Sequence, residues 1–92
     1  MVTLDEARNY LKVDTTDDDN LIEDCLDASI RYVKDILRVD DFKDFKKKEK
    51  SLIKVAIFYS LHFLYEGRGN ANHHELMKTI RSLLSGLRSV EF

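Results

Sequence analysis

A chain of 92 residues with 43% hydrophobic and 35% charged side chains, three glycines and no proline has the composition of one small, ordered, mostly helical domain spanning 1–92. Its 15 basic and 17 acidic groups leave a formal charge of −2, which gives no general attraction to nucleic acid or to an anionic membrane surface. The single cysteine, Cys25, excludes an internal disulfide and reads as a small buried hydrophobe in a reducing compartment.

The first element is announced by "TLDE" at residues 3–6, a capping box in which Thr3 and Glu6 satisfy each other's backbone N–H groups. Leu4, Ala7 and Leu11 give the short helix its buried stripe, and the chain leaves it at "KVD". Met1 runs straight into this capped helix, so no leader peptide is expected. "DTTDDDN" at 14–20 follows and resembles a cation loop. Neither register works for calcium. From Asp14 the obligatory glycine is Asp19 and the bidentate glutamate is Cys25; from Asp17 a ligand position falls on Leu21. The run instead reads as a helix start, with Asp14 or Thr16 as cap and Asp17, Asp18 and Asp19 near the positive end of the dipole.

The second helix is expected over about Asp17 to Arg38. Leu21, Ile22, Cys25, Leu26, Ala28, Ile30, Tyr32, Val33, Ile36 and Leu37 cover roughly 200° of it, more than one neighbour can hide. An extended polar connector, "VDDFKDFKKKEK", carries Phe42 and Phe45 among Lys43, Lys46, Lys47, Lys48 and Lys50. Those lysines read either as a solvated face or as phosphate contacts. The third helix, expected over about Lys46 to Glu66, is apolar on nearly every side, because Lys54, Ser60 and His62 share no face. Its apolar part, Leu52 to Tyr65, is fourteen residues long and too short for a membrane span. Gly67 stops it. Asn72 caps a fourth helix whose stripe is Leu76, Met77, Ile80, Leu83, Leu84 and Leu87, and Gly86 is expected to end it. Val90 and Phe92 form an apolar tail that should dock on something.

The fold expected is therefore all-α, a small bundle of four helices. Charge is divided along it. Residues 1–41 hold twelve acidic and five basic groups, a balance of −7, and residues 42–92 hold five and ten, a balance of +5. Surplus apolar helix surface and opposed halves both favour contact between copies, front to back. Catalytic and metal chemistry is not expected. His73 and His74 point about 100° apart on a helix, His62 sits in an apolar segment, and one cysteine with three histidines does not build a zinc site. Phosphate loops and nucleophile elbows are missing too, so neither an enzyme nor a cofactor is expected.

With the elements placed, "TLDEARNYLKVDTTDDDNLIEDCLDASIRYVKDIL", "KVAIFYSLHFLYEGRGNA" and "IRSLLSGLRSVEF" resemble the small head–tail connector (adaptor) proteins of tailed bacteriophages and prophages. The positions that carry the resemblance are Tyr10, Leu11, Val13 and Asp14; Tyr65, Glu66 and Arg68; and Leu83, Leu84, Leu87 and Arg88. Cys25, where an aliphatic is usual, and Gly86, where a larger residue is, depart from the pattern. The resemblance implies a structural protein of the virion neck, present in the host cytoplasm before assembly. Such a protein forms a ring under the portal, extends the channel through which DNA passes, and presents a platform to the next neck or tail-completion protein. Phe42, Phe45, Val90 and Phe92 are then expected at contacts with other copies or the portal, and Arg88 beside a carboxylate such as Glu66. The alternative is a small helical nucleic-acid-binding regulator that uses the lysines of 43–50. The acidic first half and the lack of a turn-separated recognition helix argue against it.

Overall fold

The computed structural model describes residues 2–12, 18–66 and 73–89, with only the backbone at Gly86, Arg88 and Ser89. Four helices run in order: α1 (Leu4–Leu11), α2 (Asp19–Leu37), α3 (Lys47–Glu66) and α4 (His73–Ser89). The described residues contain no strand. The bundle is all-α.

α1 begins as its sequence dictates. Thr3 Oγ1 accepts from the Glu6 N–H at 3.2 Å, and Glu6 Oε1 accepts from the Thr3 N–H at 3.1 Å. It ends on Lys12, and α2 ends on Arg38, both in the left-handed region at φ 60° and 58°. Neither is glycine, so each termination carries strain of about 1–2 kcal/mol, offset by cap N–H bonds to carbonyls of the last turn. Two expected boundaries move. α2 starts at Asp19 after Asp18, whose side chain makes no capping bond, so only Asp19 lies in the first turn as an acid. Asp14, Thr16 and Asp17 lie outside the described residues. α4 runs through Gly86 to Ser89 rather than stopping there. One interior glycine costs about 1 kcal/mol, and Leu87, packed against the core one residue later, holds the last turn in place.

The core is a single cluster built around α2 and α3. Ile22, Val33, Ile53, Ala56, Ile57, Leu61, Leu76, Ile80 and Leu84 are fully buried in it. The wide stripe of α2 is met inside the subunit, by α3 chiefly and by α1 and α4 at its margins. Ser29 and Ser60 are also fully buried. Each donates its hydroxyl to the carbonyl four residues back, at 2.8 Å, so neither carries an unmet polar group into the core.

Candidate assembly surface

α3 packs on α2, α4 and α1, yet one face remains outside. Leu52, Val55, Tyr59, His62 and Phe63 share that face by helical spacing. Val55 is 52% exposed and Tyr59 40%, while Leu52 and Phe63 are half-buried at the margins. Tyr10 of α1, 44% exposed, extends the surface: its ring stacks on Phe58 at 4.7 Å and meets His62 edge-on at 6.3 Å. Val55 and Tyr59 thus stand exposed on one face of α3, and Tyr10 joins α3 through Phe58 and His62, the second of which shares that face.

Polar clamps fix this side. Lys54 pairs with Glu6 at 2.5 Å, linking α3 to α1, and its ammonium also lies 5.9 Å from the centre of the Phe58 ring. The Lys54 bond first, and the Thr3 backbone N–H second, hold the Glu6 carboxyl below its ordinary value of 4.5. Arg8 Nε lies 3.4 Å from Asp19 Oδ1, an ion pair without hydrogen-bond alignment, and joins α1 to the start of α2. Tyr65 donates its hydroxyl to Asp18 Oδ2 at 2.5 Å, tying the end of α3 to that same point.

Between α2 and α3 the connector, read from sequence as an extended link, contains a turn in which the Phe45 N–H donates to the Phe42 carbonyl at 3.2 Å. Phe42, expected at a contact with another copy, is only 8% exposed and is part of the subunit's own core. The reason is local. The turn folds its ring against α2, where the Lys34 ammonium sits 5.7 Å from the ring centre. Phe45 is half-buried on the rim of that cluster. Lys43, Lys47 and Lys50 join Lys34, Lys54, Ile30 and Phe42 around an open groove of about 640 Å³. Lys46 lines a second groove with Asp40, Asp41, Asp44 and Glu49, and Lys48 is exposed. Glu49, read from sequence as an interruption of the lysine run, accepts the Lys46 backbone N–H at 2.7 Å and so caps α3.

The motif positions are spread through the bundle. Tyr65 and Leu84 are buried, Leu11, Leu83 and Leu87 half-buried, and Tyr10 and Glu66 exposed. Asp14, Arg68, Val90, Phe92 and the Arg88 side chain lie outside the described residues. Among those described, no group of three His, Cys, Asp or Glu side chains is arranged to hold a metal ion, and no helix is long and apolar enough to cross a membrane.

Residues 1–87 match the family described as phage gp6-like head-tail connector protein. The chain belongs to that family. Nearly the whole connector sequence is covered, including all four helices but for the last two residues of α4. No curated protein and no solved structure matches it. Connectors of this family are structural proteins of the phage particle, so the surfaces to account for are contact surfaces rather than a reaction centre.

Proposed function

We propose that this connector subunit repeats around an axis to form a ring in the virion neck, under the portal. The ring extends the channel through which DNA passes without sequence readout, and it presents its far side to the next neck or tail-completion protein. The observation that supports this reading is the outer face of α3. In a self-sufficient bundle the most apolar helix is covered all round, whereas here Val55 and Tyr59 face water on one side of α3, with the exposed Tyr10 against Phe58 and His62 of the same helix. A neighbouring copy or the portal covers that side. Phe45, Val90 and Phe92 belong with the same contacts, at the connector and the chain end. Phe42 serves the core of its own subunit.

The test is co-sedimentation with DNA-filled heads closed by the portal of the same phage. Wild-type protein is expected to pellet with the heads, and a Val55→Asp, Tyr59→Ser double variant to stay in solution with an unchanged helical spectrum. Wild-type protein that binds neither portal rings nor heads would overturn the reading.

A further inference from the structure

A second face carries information of a different kind. Glu23, Asp27, Ile30 and Lys34 follow one another at spacings of four, three and four residues, so they form one straight ridge along α2. Glu23 and Asp27 are exposed, and neither has an ion-pair partner among the described residues. Ile30 is half-buried between the acids and Lys34. Ile30 and Lys34 also form one wall of the groove whose other walls bear Lys47 and Lys50, with Lys43 paired to Asp41 at 3.9 Å beside them. From its N-terminal to its C-terminal end the ridge therefore reads acidic, apolar, basic.

That order is self-complementary in one orientation only. Asp27 lies about 4.5 Å along the axis on one side of Ile30, and Lys34 about 6 Å on the other. A second copy laid parallel would set acid against acid and lysine against lysine. A copy reversed about Ile30 sets Glu23 and Asp27 against the lysines and Ile30 against its own counterpart, and both charge sets are met at once. We propose that a second copy of this chain docks antiparallel on the α2 ridge, across a two-fold axis at Ile30. A nucleic-acid backbone fits less well, because the lysines are divided between two grooves and interleaved with Asp35, Asp40, Asp41, Asp44 and Glu49, so they do not form a track. The ridge lies on α2 and the face bearing Val55 and Tyr59 on α3, with Lys54 in the groove between them, so this pairing goes beyond the connector reading and is tested separately from it.

The experiment uses the full chain. Ile30→Cys is expected to cross-link to itself under mild oxidation, since residue 30 meets residue 30 at the axis. Glu23→Cys is the control: its two copies would lie about 21 Å apart along the helices, beyond disulfide reach. Sedimentation supplies the second readout. A Lys34→Glu, Lys47→Glu variant should weaken pairing roughly a hundredfold by opposing like charges. Adding Glu23→Lys and Asp27→Lys to that variant should restore it, and raised salt should weaken the wild-type pair. The proposal is overturned if Ile30→Cys stays monomeric, if Glu23→Cys links as readily, or if the fourfold variant does not recover. It is equally overturned if the lysine variant loses duplex-DNA binding with no change in sedimentation. Failure of the portal test above with a self-linking Ile30→Cys would leave this pairing intact, and the converse would leave the connector reading intact.

Discussion

α2 and α3 carry similar amounts of apolar surface and dispose of it differently. α2 has a broad stripe and a clean polar remainder, and its own subunit covers most of the stripe with three neighbours, leaving Ile30 half-buried at its edge. α3 is apolar nearly all round, also has three neighbours, and still leaves Val55 and Tyr59 in water. A wide stripe can be hidden by adding helices at its edges. A helix without a polar side leaves one face bare in a four-helix chain, and that remainder is what an assembly can use.

This contrast can be broken most forcefully in the shared core. Ile57→Ala should cost about 2–5 kcal/mol in urea unfolding, because Ile57 is fully buried, and a smaller loss would mean the α2–α3 seam is looser than described. Phe42→Ala should fall in or near the 3–5 kcal/mol range of buried aromatic truncations, whereas a ring reserved for another subunit would leave the monomer's stability unchanged. At the other extreme, Val55→Asp should shift the unfolding free energy by no more than about 0.5 kcal/mol while removing association, since its side chain is spent on no internal contact of consequence. Lys12→Gly relieves a left-handed cap and should stabilise the end of α1 by roughly 0.5 kcal/mol, the strain removed being partly offset by the greater freedom of glycine in the unfolded chain.

The clamp between α1 and α3 gives a prediction in pH rather than in magnitude. Glu6 titrates below 4.5 in the folded chain. Its folded value is depressed, so the stabilisation it gives is present above the unfolded value and disappears as pH falls through the lower folded one. Titration of the Glu6 carboxyl by NMR should show this depression, and Lys54→Met should raise it towards 4.5, with the Thr3 backbone bond still holding it down. An unchanged titration in that variant would contradict the assigned cause.

Much of this was legible in the chain because local signals agreed. The Thr3–Glu6 box, the stripes of α2 and α4 and the all-round apolarity of α3 each follow from spacing alone. What escaped depends on distant pairing. The acids at 18 and 19 were read as a helix start because that is their local chemistry, but Asp18 receives Tyr65 and Asp19 faces Arg8, partners 47 and 11 residues away in sequence. A phenylalanine in a charged loop reads as a contact with another copy or the portal, and no periodicity reports that this turn folds Phe42 into its own core instead. Lys12 and Arg38 give no warning of left-handed caps, since glycine is the usual signal. Gly86 gave that signal and was overridden by the packing of Leu87.

The most direct test of the central claim is thiol labelling of Val55→Cys and Tyr59→Cys proteins, free and bound to portal-closed heads, with buried Cys25 as the internal reference. If the outer side of α3 is where the connector meets its neighbours, both new thiols react quickly in the free chain and become protected on the heads. Equal labelling in the two states, on heads that do carry the protein, would show that this side stays open to water and that assembly runs through another surface.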